Sequence, residues 1–286
     1  MRTGLAHPVS VRHRARAMTL LEIMVALSMM TVIVLGLYSM FDRTQQALRD
    51  GTTQVDVLEI ARANGELLSR ELEQARATGL EHYPLTSNLW MTNLWIDYSP
   101  TSIPITNVLI DGTTRTTAMH QVFFLNKDAN WRAIAYIMGV PPAGTPEDRV
   151  LFTNGVGTLY RYERTYSPLE IELIRTNAFQ EYLNCRNNPA CASSNFFVVS
   201  QGVVSFRVDA YDSGGTLLST NLPFAFTNAQ VPAYIQLELG VLETHILEQA
   251  KALALTNNPG LSRSFLTNQT GHLHMFRHRI PIRAQL

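Results

Sequence analysis

The sequence has few of the features by which enzymes and nucleic-acid-binding proteins are usually detected. It contains no G-x-S-x-G, H-E-x-x-H, phosphate-loop or dinucleotide-binding pattern. Outside the first 17 residues it has no basic cluster interleaved with aromatic side chains, which argues against nucleic acid as a partner. Its two cysteines, without a second pair or a nearby histidine, do not complete a tetrahedral metal site. We therefore expect a protein that is not an enzyme and needs no cofactor.

Charge is almost absent from one long segment, residues 18–41. The segment contains 18 apolar residues out of 24, and Glu22 is its only charged side chain. As an α-helix it would be roughly 36 Å long, because each residue adds about 1.5 Å, and a hydrocarbon core is about 30 Å thick. We therefore predict a transmembrane helix over residues 18–41 with a carboxylate close to its start.

Glu22 needs a compensating charge in this position. A charged group in the apolar phase costs on the order of 3 kcal/mol even on the most lenient insertion scales. A cationic partner would offset this cost, and a free α-amino group is created if the chain is cut just before Met18. The segment before the helix is basic, which by the positive-inside rule predicts a cytoplasmic N-terminus. Its arginines are Arg2, Arg12, Arg14 and Arg16.

The residues around this point resemble the processing site of type IV pilins and type II secretion pseudopilins. They read Arg16-Ala17, then Met18-Thr19-Leu20-Leu21-Glu22. The resemblance implies a leader over residues 1–17, cleavage by a prepilin peptidase between Ala17 and Met18, and N-methylation of Met18. It also implies that Glu22, the fifth residue of the mature chain, pairs with the N-terminus of a neighbouring subunit during assembly.

The cleavage site departs from the usual pattern of this family at two positions. The family usually has Gly before the cut and Phe after it, whereas this chain has Ala17 and Met18. Ala17 is small and Met18 is apolar, so we expect cleavage, although Ala17 could slow it.

The apolar segment is also compatible with two alternatives. It could be an uncleaved signal anchor, with Glu22 at the membrane interface. It could also be a secretory signal peptide, although its apolar run exceeds the usual length of about 7 to 15 residues and residues 38–41 offer no small-x-small cleavage site.

The helical pattern continues beyond residue 41 but becomes amphipathic. Apolar residues recur at spacings close to three and four, with charged residues between them. These apolar residues are Val55, Leu58, Ala61, Leu68, Leu72 and Ala75. Thr78-Gly79 then supplies a stop signal, because Gly suits the position after a helix end. We therefore predict a continuation of the helix over residues 42–79 that packs under a sheet, with Gly36, Gly51 and Gly65 as points where it could bend.

From residue 80 the apolar period changes from helical spacing to two. Alternation is clearest in residues 204–211 and 234–241, and Asp212-Ser213-Gly214-Gly215 is typical of a hairpin turn. We predict further strands at residues 122–125, 131–138, 159–166, 196–200 and 273–282, and a short helix at 242–255. The predicted fold class is α+β: a long N-terminal helix, first membrane-spanning and then amphipathic, packed on a mainly antiparallel, pilin-like β domain over residues 80–286.

Cys185 and Cys191 enclose a short segment that contains the turn-forming residues Asn and Pro. In an oxidising periplasm a disulfide between them would contribute roughly 2 kcal/mol to stability. Two free thiols are the alternative.

A histidine-rich segment near the C-terminus is the richest candidate for metal binding. His272, His274 and His278 would lie on one face of a strand. Arg277 and Arg279 add positive charge, however, and no acidic ligand is near in sequence. We therefore predict a polar strand face here and no metal site.

Asp209 and Asp212, close to Gly214, are a second candidate for metal binding. Two carboxylates fall short of the roughly 6 to 8 oxygens that Ca²⁺ prefers. A hairpin turn explains both residues more simply.

The β domain resembles a subgroup of the pilin-like family. Residues 159–162, residues 202–208 with the turn that follows, and residues 231–239 are similar to the J-class minor pseudopilins of type II secretion and the related W-class minor pilins. This resemblance covers roughly residues 150–242. The presence of Glu22 argues against the K-class tip subunit, which characteristically lacks that residue.

These resemblances together predict a structural minor pseudopilin of a type II secretion system, assembled at or near the pseudopilus tip. It would be a single-pass inner-membrane protein with its C-terminal domain in the periplasm. Its expected partners are membrane lipid, the prepilin peptidase, and other major and minor pseudopilins, with a secreted substrate protein as a further candidate. Two alternatives remain open: a minor pilin of a type IV pilus or DNA-uptake filament, and an uncleaved, membrane-anchored binding module or enzyme.

Overall fold

A computed structural model of the chain describes residues 19–77, 92–98, 106–108, 114–116, 118–139, 146–167, 170–227, 230–255 and 259–282. The chain divides into two compact units, Met1–Thr52 and Thr53–Leu286. The fold class is α+β, as the sequence predicts: an apolar N-terminal helix is followed by a domain in which a helix packs on an antiparallel sheet.

Helix α1, Leu20–Glu73, is the first element and contains 54 residues. In the first unit, its segment from Leu20 to Leu48 is long and apolar enough to cross a membrane, and none of its side chains is buried. The predicted transmembrane segment, residues 18–41, overlaps this range. Gly36 and Gly51 both lie within α1, which the structure describes as one helix.

The part of α1 that lies in the second unit packs against the sheet through the predicted apolar stripe. Ala61, Leu68 and Leu72 are fully buried in a core that they share with the strands. Val55, which the spacing assigns to the same stripe, is instead 60% exposed. The sheet therefore covers only the later turns of the predicted stripe.

Helix α1 ends at Glu73, earlier than the predicted end near Thr78, which lies outside the described residues. The reason is a change of hydrogen-bond partner. Ala75 forms a β-bridge with Asn126, and the Arg76 N–H donates to the Leu125 carbonyl at 2.9 Å. The chain thus leaves the helix by pairing with a strand.

Within the described ranges, eight strands form one antiparallel sheet in the order β10-β9-β7-β6-β5-β4-β1-β8, and β2 and β3 form a separate hairpin. The strand bounds are β1 Thr92–Tyr98, β2 Thr106–Val108, β3 Thr114–Thr116, β4 His120–Lys127, β5 Trp131–Gly139, β6 Gly157–Tyr166, β7 Phe196–Tyr211, β8 Phe224–Thr227, β9 Tyr234–Leu242 and β10 Leu273–Pro281. The sheet curls, so that the residues just before β4 reach β7. Met119 forms a β-bridge with Phe206, and the Phe206 N–H donates to the Ala118 carbonyl.

Strand β7 combines two of the predicted strands, residues 196–200 and 204–211, into one. Gly202, between them, has a φ of +71°, and the pairing with β9 shifts register between Val203 and Ser205. A positive φ is accessible to Gly at little cost and accompanies many β-bulges. The interruption in the sequence pattern therefore marks a bulge rather than a loop.

Successive residues along a strand point to opposite faces of a sheet. One face of this sheet packs on α1, and the other helices cover the opposite face. Helices α3 and α4 cover an aromatic cluster in which Trp95 and Phe123 come from the sheet and Tyr182 comes from α3. Helices α2, α5 and α6 pack on Leu242 and Leu273. Their bounds are α2 Pro146–Thr153, α3 Ile171–Asn187, α4 Pro189–Asn195, α5 Thr244–Ala254 and α6 Pro259–Thr267. Of these five helices, α5 lies where the sequence predicts a helix, and α2, α3, α4 and α6 do not.

Candidate functional site

The N-terminal site is built around the first turn of α1. Thr19 precedes the helix, and its Oγ1 accepts a hydrogen bond from the Glu22 N–H at 3.3 Å. This is the capping contact expected of a Thr-x-x-Glu sequence, in which the threonine satisfies an otherwise unpaired N–H. Glu22 thus lies in the first helical turn, where the helix dipole favours a negative charge. Ala17 and Met18, the predicted cleavage and methylation positions, lie outside the described residues.

The helix that carries Glu22 presents apolar side chains on all sides. Ile33, Leu37 and Phe41, for example, are each more than 60% exposed. Soluble monomers rarely expose contiguous apolar patches larger than a few hundred Å². This segment therefore requires lipid or other apolar helices around it, and it is consistent with a single membrane anchor.

Cys185 and Cys191 form a disulfide, the pairing that their spacing suggests. It links the end of α3 to the start of α4, with the two Cα atoms 5.0 Å apart. The sequence suggests a simple turn here, but the segment holds two helix ends. Asn188 caps α4 by accepting from the Ala190 N–H at 3.0 Å, and Pro189 occupies the first helical position.

Two of the three predicted histidines meet at one carboxylate. His272 Nδ1 lies 2.9 Å from Glu243 Oε2, and His274 Nε2 lies 3.0 Å from Glu243 Oε1. Strand pairing explains the meeting: Leu273 of β10 is opposite Leu242 of β9, so Glu243, immediately after β9, faces the start of β10. No acidic residue is near these histidines in the sequence, but the fold brings Glu243 to them.

Glu243 is ionised in this environment. Its side chain is only 2% exposed, and burial by itself would raise the carboxyl pKa. Hydrogen bonds from His274 and His272 outweigh that effect and hold the pKa of Glu243 below its usual value. His245, to which no pattern in the sequence points, is a third histidine beside this carboxylate, with Nδ1 3.4 Å from Glu243 Oε2.

His278 lies apart from the other histidines of the segment and contacts helix α1. A Cβ added to Gly65 would lie 2.7 Å from His278 Nε2, so the His278 ring lies directly against the helix at Gly65. Gly65 thus lies in α1 where the His278 side chain of β10 packs against the helix.

Asp209 and Asp212 each accept a hydrogen bond from a partner of their own. Asp209 Oδ2 accepts from Arg207 Nε at 2.7 Å, within strand β7. Asp212 Oδ1 accepts from the Thr216 N–H, also at 2.7 Å, and Gly215 adopts a φ of +85° in the turn. The turn explanation of Asp212 agrees with this geometry, and Asp209 is held by an ion pair.

Comparison with known proteins bears on the N-terminal site. Residues 12–38 match the family described as the prokaryotic N-terminal methylation motif. No curated protein and no solved structure gives a significant match to the chain. The matched segment contains the predicted cleavage position, the Thr19 cap and Glu22, and a motif of this kind implies processing by a prepilin peptidase and assembly with other pilins. The chain thus carries a prepilin-type N-terminal motif, of the kind found in type IV pilin-like proteins.

Proposed function

We propose that the chain is a non-enzymatic structural subunit, a minor pseudopilin of a type II secretion system that assembles at or near the tip of a periplasmic pseudopilus. The observation that carries the proposal is Glu22, a lone carboxylate in the first turn of an exposed apolar helix that begins inside a prepilin-type motif. A lipid anchor alone has no need of this carboxylate, whereas a helix that must find a partner in the membrane does.

Assembly follows from the cost of leaving this carboxylate unpaired. After cleavage, the α-ammonium group of Met18 on a neighbouring subunit is a cation at the depth of Glu22. Pairing the two charges offsets the penalty of holding Glu22 in the apolar phase. The apolar helices then bundle as the filament core and replace lipid around one another, together with other major and minor pseudopilins.

The orientation proposed for the chain places its N-terminus in the cytoplasm and the second unit in the periplasm. Four arginines precede the apolar helix, as the positive-inside rule requires of a cytoplasmic segment. The disulfide of the second unit supports an oxidising compartment on the other side of the membrane.

Processing is tested by intact mass and N-terminal sequence of the protein purified from membranes, with and without an active prepilin peptidase. The proposal expects a chain that starts at methylated Met18 only when the peptidase is active. A start at Met1 in both strains would contradict it and favour an uncleaved, membrane-anchored module.

Assembly is tested with Glu22→Ala, using Asp42→Ala as the matched control. Asp42 is an exposed carboxylate further along the same helix. We expect Glu22→Ala to insert in the membrane at the normal level but to lose crosslinking to other pseudopilins and to block secretion, while Asp42→Ala behaves as wild type. Normal pseudopilus assembly with Glu22→Ala would contradict the assembly role proposed for Glu22.

The choice of filament is tested by deleting the gene. Loss of extracellular enzyme secretion with surface pili retained supports the secretion system. Loss of pili or of DNA uptake with secretion retained would make the chain a minor pilin instead.

A further inference from the structure

Three atoms capable of binding a metal converge where β9, β10 and α5 meet. One ligand atom from each of Glu243, His245 and His272 lies within 4.8 Å of the other two. Oε2 is 2.9 Å from His272 Nδ1 and 3.4 Å from His245 Nδ1. In a tetrahedral zinc site with bonds of about 2.0–2.1 Å, neighbouring ligand atoms are about 3.3 Å apart. The two separations from Oε2 lie on either side of that value.

His245 gives the strongest indication that hydrogen bonding alone does not explain the cluster. Its Nδ1 is buried and has no hydrogen-bond partner among the described residues. A buried nitrogen without a hydrogen-bond partner destabilises the fold unless something else pairs it. The rings of His245 and His272 are nearly perpendicular, at 89°, with centroids 5.3 Å apart. An ion held between these two nitrogens and the carboxylate would pair the nitrogen that the protein leaves unpaired.

The Glu243 side chain faces the histidines and does not cap helix α5. Glu243 is the N-cap residue of α5, but its side chain makes no capping hydrogen bond to the helix. Instead Oε2 faces His245 and His272, while Oε1 is 3.0 Å from His274 Nε2. Carboxylates that bind metals are commonly held by a second hydrogen bond of this kind. His274 is therefore a positioning residue that engages the oxygen the metal does not need.

The backbone fixes the three ligand residues before any ion binds. Glu243 directly follows β9, and its N–H donates to the His272 carbonyl at 3.1 Å. His272 ends a short 3₁₀ turn, Thr270–His272, just before β10, and His245 lies in the first turn of α5. The ligands thus come from a strand end, a helix start and a turn that the sheet holds together, as a preorganised site requires.

We propose that Glu243, His245 and His272 bind one divalent transition-metal ion, and that Zn²⁺ is the ion they fit best. Two imidazoles and one carboxylate suit zinc, whereas Ca²⁺ and Mg²⁺ prefer sites made wholly of oxygen. The side chains of His245 and His272 are 36% and 41% exposed, so the fourth position faces solvent and is filled by water. The site lies at the start of β10 and does not depend on how the N-terminal helix assembles.

The test uses the full-length protein in detergent, with any polyhistidine tag removed. It is titrated with zinc chloride in competition with a chromophoric chelator, and bound zinc is counted by elemental analysis after dialysis. We expect one zinc per chain. His245→Ala and His272→Ala should each weaken binding at least tenfold. His278→Ala, which removes a histidine of β10 outside the cluster, should bind as wild type.

His274 has its own pair of variants. His274→Ala should weaken zinc binding by about 10- to 100-fold, the usual effect of losing a residue that orients a ligand. His274→Gln keeps a donor for Glu243 Oε1 and should restore part of the affinity. Far-ultraviolet circular dichroism confirms that each variant is folded.

The absorption spectrum of bound Co²⁺ reports the geometry of a metal site. Histidines that only stabilise the fold would not give such a spectrum. Co²⁺ bound to wild type should give the absorption spectrum of a tetrahedral site, and His245→Ala should lose it. Zinc affinity in His245→Ala equal to that of wild type would overturn the proposal, as would an equal loss in His278→Ala. Because the assay measures binding by the purified protein, its failure leaves the filament role unaffected.

Discussion

Arg161 donates hydrogen bonds to both carboxylate oxygens of Glu71, and this contact joins strand β6 to helix α1. Nη2 lies 2.6 Å from Oε1, and Nε lies 3.1 Å from each oxygen. The Tyr136 hydroxyl donates to Glu71 Oε2 at 2.5 Å, and Arg161 Nη1 donates to Glu163 Oε2 at 2.5 Å. The side chain of Glu71 is only 9% exposed, so a charged network lies between the helix and the sheet.

The protonation states within this network reinforce it. Burial raises the pKa of Tyr136 far above its usual value, and the Glu71 charge raises it further, so the hydroxyl remains a donor. Burial alone would lower the pKa of Arg161, but its hydrogen bonds to Glu71 and Glu163 raise that pKa instead. Tyr136 and Arg161 therefore both remain hydrogen-bond donors to Glu71, which fixes how this turn of α1 sits on the sheet.

Replacing Glu71 should destabilise the second unit strongly. Glu71→Ala leaves the Arg161 charge half-buried with one partner fewer and the Tyr136 hydroxyl without its acceptor, a change that typically costs about 3–5 kcal/mol. Urea unfolding of the full-length protein in detergent, followed by near-ultraviolet circular dichroism, measures the loss. The control is Glu66→Ala, whose exposed pair with Arg62 should be worth less than about 1 kcal/mol. Equal losses would contradict the role given to Glu71.

The strands of this fold could be read from the sequence because burial on one face imposes a period of two. Residues 234–241 alternate clearly and lie within β9. Helix α3 was not predicted, although its buried residues Ala178, Tyr182 and Cys185 follow helical spacing. The Asn and Pro that follow them suggest a turn, and the sequence alone does not show that those residues cap the next helix.

The side-chain clusters could not be predicted, because they depend on pairing between distant segments. Glu71 and Arg161 are 90 residues apart and meet only when β6 packs on α1. Glu243 and His272 are 29 residues apart and meet through the register of β9 and β10. By contrast, Thr19 and Glu22 are three residues apart, so their hydrogen bond lies within one local segment that the sequence motif already marks.

The buried stripe of α1 makes a second prediction possible, because two adjacent leucines differ in environment. Leu68 is fully buried, whereas Leu67 is 40% exposed. Leu68→Ala should lower the free energy of unfolding by about 2–5 kcal/mol, because it removes packed methyl groups and leaves a cavity. Leu67→Ala should cost much less. The same urea titration compares them, and similar losses would show that the sheet does not cover this face of the helix.

The disulfide should add a moderate stability increment, because the loop it closes is short. The two cysteines are six positions apart, which corresponds to about 2 kcal/mol in the chain-entropy treatment. The double variant Cys185→Ser, Cys191→Ser should lose about that amount, and a reducing agent should bring wild type to the same level. Ser193→Ala, an exposed change in the adjoining helix, is the control. A reducing agent that destabilises the double variant as much as wild type would indicate a different origin for the effect.

His120 is held neutral at the junction of β4 and β7. It is 5% exposed, and the Val208 N–H is 3.1 Å from its Nδ1. Nδ1 is also 3.1 Å from the Val208 carbonyl, so the ring pairs with the Val208 backbone in either neutral tautomer. Burial lowers the pKa of His120 below its usual value of 6.5, and the effects of Val208 and Asp209 offset this only in part.

Stability should therefore fall in mild acid through His120. The unfolded chain binds a proton at this residue near pH 6.5, whereas the folded chain binds it only at lower pH, so the unfolded state gains from acidification first. The free energy of unfolding should decline from pH 7 to pH 5. His120→Gln, whose amide oxygen can accept from the Val208 N–H, should flatten that decline. Other groups titrate in both proteins, so the difference between their pH profiles isolates His120, and parallel profiles would assign the acid sensitivity to another residue.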